Sequence, residues 1–190
     1  MNRSVRLTPA AVNKAEAGFR RRFPNAAPKV ALILGSGWGA AAERAFTVTD
    51  AASADCLPGW GRAGVAGHAG RLLLAEAGGV PTLIFQGRRH WYEGEGWTPV
   101  AIPPLLCRQL GVRALLLTNS SGSLRADRPA GSLGVIRDHL NLMGVNPLQG
   151  PHHAAWGPRF PDMTRVYHPA WNRLLGDAGR ARKALNWTPK

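Results

Sequence analysis

Cysteine is nearly absent from this chain. Cys56 and Cys107 are the only two, and they stand far apart. That excludes a disulfide framework and a cysteine-based zinc site, and a reduced, cytoplasmic setting is expected. No apolar run approaches the length of a membrane span, and Met1 to Arg6 has no apolar leader, so neither membrane nor secretory signal is expected. Repeats and low-complexity tracts are absent. Acidic residues are also few: 11 Asp and Glu stand against 24 Lys and Arg, a formal net charge of +13. Such a balance suits nucleic acid or a basic site for an anionic substrate. The arginines are scattered singly apart from Arg20-Arg21-Arg22 and Arg180-Ala181-Arg182-Lys183. There is no zinc-finger spacing, no RNA-recognition aromatic motif and no basic zipper. A solvated basic surface therefore explains the charge better than a nucleic-acid groove.

Hydrophobic residues make up 45% of the 190, which excludes a disordered chain and allows one domain with a real core. Thr8-Pro9 opens a helix, with the hydroxyl as cap and proline in the first turn. Val12, Ala15, Phe19 and Phe23 continue it at helical spacing, and Pro24 and Pro28 end it. Val30 to Leu34 is a short apolar run before glycine, as expected of a strand covered on both faces. A short helix follows near Gly39 to Phe46. Leu72-Leu73-Leu74 and Thr82 to Phe85 flank Gly78-Gly79 and predict a hairpin. Thr98 to Leu110 is helical in pattern despite Pro103-Pro104, with Gly111 as its cap. Leu115 to Leu117 and Leu133 to Ile136 predict two further strands, and Met143 to Pro169 a long ordered loop. Strands alternating with helices imply an α/β fold, whose sites lie at the carboxyl ends of strands.

Three polar loops follow those strands. Gly35-Ser36-Gly37-Trp38-Gly39 offers backbone N–H groups and the Ser36 hydroxyl to an anion, although such turns also serve tight packing alone. It is not a Walker A loop, since no Gly-Lys-Ser/Thr follows, and Leu34 excludes a Gly-x-Ser-x-Gly elbow. In Gln86 to Gly94, Arg88 and His90 stand two apart and share one side of an extended stretch, and Tyr92 falls on that side too. A guanidinium fork holds two phosphate oxygens, an imidazole adds a donor, and a ring can pack on a sugar. Thr118-Asn119-Ser120-Ser121-Gly122 leaves the backbone N–H of Ser120 accessible, or is an ordinary turn. His68, in Gly67-His68-Ala69-Gly70, is a further contact to phosphate or an interface, or a structural histidine. His152-His153 is adjacent and lacks a carboxylate at suitable spacing, so no metal is expected. Asp138 and His139 are expected to buttress a strand end.

These segments, with Arg137-Asp138-His139-Leu140-Asn141 and Arg159-Phe160-Pro161-Asp162-Met163, resemble the trimeric class of purine nucleoside phosphorylases in order and spacing, over about residues 8 to 175. Methylthioadenosine phosphorylases share the fold, but the His-x-Tyr-Glu-Gly run after Arg88 resembles the purine nucleoside enzymes. The resemblance implies a mixed β-sheet surrounded by helices, in a domain over residues 1–175 followed by a basic tail, 176–190. It implies pentosyl transfer from a purine nucleoside to phosphate, giving free base and ribose 1-phosphate. Phosphate is then co-substrate, no cofactor is needed, and a homotrimer is the expected assembly. Position by position, Ser36, His68, Arg88, His90 and the backbone of Ser120 would hold phosphate, with Arg88 and His90 the catalytic pair. Tyr92 would contact ribose, and Phe160 would reach a neighbouring subunit's pocket. This chain departs from the family pattern in two respects. Ser120-Ser121 stands where two alanines are usual. Family members also continue well past Lys190, so the C-terminal part of the fold is expected to be missing, with the glutamate and asparagine that read the purine and a histidine near the ribose 5′ end. Loss of leaving-group assistance costs roughly 10²–10⁴ in rate. The alternative is accordingly a catalytically impaired homologue that binds phosphate or sugar phosphate only.

Overall fold

The computed structural model describes residues 7–61 and 70–184. Helix α1 (Pro9–Arg22) starts at Thr8, whose backbone is extended and whose hydroxyl accepts from the Ala11 N–H at 3.2 Å. Its inward stripe of Val12, Ala15 and Phe19 is buried, as the helical spacing requires. The Phe23 N–H still bonds the Phe19 carbonyl at 2.8 Å, and Pro24 has no N–H with which to continue.

Five strands form one sheet in the order β2-β3-β4-β1-β5. They are β1 (Val30–Ile33), β2 (Thr47–Ser53), β3 (Arg71–Ala77), β4 (Val80–Gln86) and β5 (Ala114–Leu117). Strand β1 lies between β4 and β5 and runs parallel to both, while β2, β3 and β4 form an antiparallel meander. The sheet is therefore mixed, as expected. Gly78 and Gly79 join β3 to β4, with φ of 56° and 78°. Two consecutive positive φ values make the tight hairpin turn that glycine permits without strain. Strand β2 was not foreseen. Its sequence, Thr-Val-Thr-Asp-Ala-Ala-Ser, lacks an apolar alternation because it sits at the sheet edge, with an irregularity in its pairing between Val48 and Asp50.

Apolar side chains cover both faces of the sheet. On one, Phe19 of α1 and Phe23 just after it pack with Ile33, Leu72, Leu83 and Phe85, and with Ile102 and Leu106 of helix α3 (Thr98–Gln109). On the other, Leu32, Leu34, Leu73 and Ile84 pack with Ala42 of the short helix α2 (Gly39–Ala45). Successive residues of β1 and β4 thus enter opposite cores, which is why these strands read as continuous apolar runs. Each large side chain fully removed from water contributes roughly 1.5–3 kcal/mol. Pro103 and Pro104 lie inside α3. Lacking N–H groups, they leave the carbonyls four residues earlier without helical donors.

The chain divides into two compact units between Ser121 and Gly122. In the second, the expected strand Leu133–Ile136 is not formed. Those residues have no regular structure, and Leu133 and Ile136 are 51% and 42% exposed. A strand exists only through a hydrogen-bonded neighbour, and no described strand pairs with this run. The loop expected over 143–169 is present, with one short turn of 3₁₀ helix at Ala154–Trp156. Helix α4 (Pro169–Ala184) follows and passes through residue 176 without interruption.

Candidate anion-binding site

Because β4, β1 and β5 are parallel neighbours, their carboxyl ends open on the same edge of the sheet. The register makes them level, since Ile33 pairs with both Phe85 and Leu117. The three polar loops therefore leave side by side. The loop after β1 lies in the middle, with the Arg88 loop on one flank and the Ser120 loop on the other.

Thr118 joins all three. Its hydroxyl accepts from the Gly35 N–H at 3.0 Å, and its carbonyl accepts from Arg88 Nη1 at 2.5 Å. The first and third loops touch closely here. A Cβ on Gly35 would lie 2.6 Å from the Thr118 carbonyl oxygen and 2.8 Å from Asn119 Cα, so only glycine fits. The Ser120 hydroxyl donates to the Ser36 carbonyl at 2.6 Å, and Ser121 donates to Asn119 Oδ1 at 2.5 Å. Both unexpected serines thus use their hydroxyls to brace the loops. Trp38 Nε1 adds a longer contact to the Asn119 carbonyl at 3.4 Å. Helix α2 has seven residues and no side-chain cap at its start, so the loops, rather than a helix dipole, must supply the donors.

Arg88 is half-buried. Burial lowers its pKa from the ordinary arginine value, partly offset by Tyr92, and a guanidinium so placed stays charged. Arg89 points the other way and is buried, as two-residue alternation demands. Burial pushes its pKa down, but the hydrogen bond to Glu95 and the charges of Glu93 and Glu95 outweigh it and raise the pKa overall. His90 begins a short 3₁₀ turn, Trp91–Glu93, and its ring stacks on Tyr92 at 4.8 Å and 14°. Tyr92 is 72% exposed. It borders a shallow cleft of about 390 Å³ that Trp91, Gly94 and Gly96 also line.

The fold thus gathers Ser36, Arg88, His90, Tyr92 and Ser120 at one sheet edge. Phe160 lies in the second unit, exposed, with the Arg159 guanidinium 5.9 Å from its ring. His68 falls outside the described residues. Asp138 and His139 are exposed, and His139 contacts Tyr167 at 3.3 Å, so the strand end they were expected to buttress is not there. Among the described residues, no three His, Cys, Asp or Glu are grouped to hold a metal ion. Reasoning from sequence missed Thr118 as the tie between loops. Its place at the end of an apolar strand was visible, but its partners 30 and 83 residues away were not.

A mixed sheet whose parallel strands end in three adjoining polar loops defines an α/β protein with a site at the carboxyl edge. Known proteins narrow the class. Residues 29–186 match the phosphorylase superfamily, and the chain belongs to that family. Purine nucleoside phosphorylase 1 of Bacillus subtilis is 40% identical over 156 residues, which is 82% of this chain and 57% of that protein. The Geobacillus stearothermophilus purine nucleoside phosphorylase 1 is 36% identical over 171 residues, 90% of this chain and 62% of the relative. Among solved structures, isoform 2 of the Schistosoma mansoni purine nucleoside phosphorylase, in complex with cytosine and ribose-1-phosphate, superimposes with a TM-score of 0.82 at 30% identity. It covers 95% of this chain, and this chain covers 64% of it. The chain therefore spans about three fifths of the length of the relatives it matches.

Proposed function

We propose that this chain carries the phosphate and ribose half of a purine nucleoside phosphorylase, transferring a pentosyl group from a purine nucleoside to phosphate. The adjacency of the Ser36, Arg88 and Ser120 loops at one sheet edge carries the reading, in a chain 40% identical to a purine nucleoside phosphorylase. In this scheme Arg88 and His90 donate to phosphate oxygens, with the Ser36 loop, the Ser120 backbone N–H and His68 completing the cradle. Tyr92 packs against ribose, and Phe160 serves a neighbouring subunit's pocket in a homotrimer working in the cytoplasm. As the glycosidic bond to the purine breaks, positive charge develops at C1′ of the sugar. A phosphate dianion held beside C1′ offsets that charge and then bonds to it, giving ribose 1-phosphate and free base. Orientation and electrostatics come from the protein, and the second substrate is phosphate itself, without a metal or organic cofactor.

The decisive experiment is chromatography of base released from inosine and guanosine by the purified chain, with and without phosphate. Release that requires phosphate and is lost in Arg88→Ala is expected. If a folded chain binds phosphate but releases no base, the reading reduces to a phosphate or sugar-phosphate binder. If it binds neither phosphate nor sulfate in calorimetry, the assignment of the cradle fails.

A further inference from the structure

Between Arg88 and His90 the chain buries a charge that the proposed reaction does not use. Arg89 is 5% exposed, and each of its three nitrogens is engaged. Nε donates to Glu93 Oε2 at 3.0 Å, Nη1 to the Trp60 carbonyl at 3.3 Å, and Nη2 to Glu95 Oε1. A buried guanidinium is tolerated only when its partners are this complete, and losing one leaves an uncompensated charge. Its planar fork also fixes directions as lysine cannot. Arg89 thereby ties the Trp91–Glu93 turn, Glu95 and the chain at Trp60 into one rigid unit.

Glu93 passes that rigidity to His90. While Oε2 is held by Arg89, Oε1 accepts from the His90 backbone N–H at 2.6 Å. In return the Glu93 backbone N–H donates to the His90 side chain, which closes a reciprocal capping box. A ring nitrogen that accepts an N–H bond carries no proton. In neutral imidazole the proton must then sit on the other nitrogen, which becomes a donor. A donor is what a phosphate oxygen requires; here it is Nε2, which is buried rather than open to solvent, so an anion must meet it inside the loop.

We propose that the buried Arg89–Glu93–Glu95 cluster is a positioning device for His90, holding its imidazole in the single tautomer that donates toward an anion. The proposal rests on the reading of His90 as a phosphate ligand. Arg89, Glu93 and Glu95 are positioning residues, since none is assigned a contact with substrate.

The test pairs two measurements on the whole chain. Nitrogen chemical shifts of the His90 imidazole report the tautomer, and calorimetry with inorganic phosphate reports affinity. In the wild type, well-separated shifts from one neutral tautomer are expected. Arg89→Lys keeps the charge and loses the fork, so the two shifts should move together, and phosphate affinity should fall about tenfold for the loss of one oriented hydrogen bond. Should that variant not fold, Glu95→Gln alters a partner that is 55% exposed and should move both readouts the same way by a smaller factor. Glu93→Gln keeps an acceptor for the His90 N–H and should preserve the tautomer better than Glu93→Ala. Unchanged shifts in a folded Arg89→Lys or Glu95→Gln overturn the proposal, as does a lost tautomer with unchanged affinity in a chain that binds phosphate. A wild type that binds no phosphate but shows a tautomer dependent on Arg89 keeps the positioning and removes the anion reading.

Discussion

Arg88 and Ser120 lie in loops that meet at Thr118 and Ser36, and substitution separates the roles proposed for them. Arg88 offers a charged fork, and its removal should abolish measurable phosphate binding. Ser120 is expected to offer its backbone N–H, while its hydroxyl is engaged with the Ser36 carbonyl at 2.6 Å. Ser120→Ala should therefore keep phosphate affinity within a few fold and lose about 1 kcal/mol of stability with that bond. A large loss of binding in Ser120→Ala, by calorimetry, would show that the hydroxyl itself meets the anion. Cys107 gives a second prediction at this scale. Burial pushes its thiol from an ordinary value of 9.0 up to about 12. Above pH 9 the unfolded chain loses this proton and the folded chain keeps it. The contribution of Cys107 is thus whole below pH 9 and declines through the window up to about pH 12, by about 1.4 kcal/mol per pH unit. Denaturant titrations at pH 8 and pH 10 should show a steeper loss in the wild type than in Cys107→Ala.

Helix α1 packs on the sheet face opposite α2, and its buried face and its capped end contribute unequally to stability. Phe19 is completely buried, with its ring 5.2 Å from that of Phe23. Phe19→Ala should cost about 3–5 kcal/mol through lost transfer energy and the cavity left behind. Thr8→Ala removes only a cap and should cost about 1 kcal/mol. Equal losses for the two, measured by urea unfolding, would contradict the packing described for α1. Helix α1 and strands β1 and β4 were legible from sequence because their apolar residues are largely buried, and β5, although a partly exposed edge strand, because it is an unbroken leucine run. Strand β2 was not, since a half-exposed edge strand is specified by its ladder to β3. The run Leu133–Ile136 failed in the opposite way: its composition suits a strand, but a strand also needs a neighbour.

The whole molecule carries a net charge of +13, and its three polar loops share one sheet edge. Phosphate that binds only the folded chain should stabilise it by about 2.7 kcal/mol at 100 times its dissociation constant. The shift in melting temperature should shrink as sodium chloride replaces it, because exposed charges are screened within about 10 Å at 0.1 M salt. A phosphate effect equal in Arg88→Ala would assign the stabilisation to the general basic surface rather than the loops. No described helix is long and apolar enough to cross a membrane.

Sequence alone determined the α/β class and the three polar loops that follow apolar strands, because these depend on local periodicity and residue chemistry. Tertiary structure decided that the three loops are neighbours. Residues 35, 88 and 118 meet only because β1 enters the sheet between β4 and β5 in parallel register, and strand order is a long-range choice that no local pattern records. It also decided the fate of Arg89. In sequence it is one of two adjacent arginines, and in the fold it is the buried one, since Trp60, Glu93 and Glu95 converge on it.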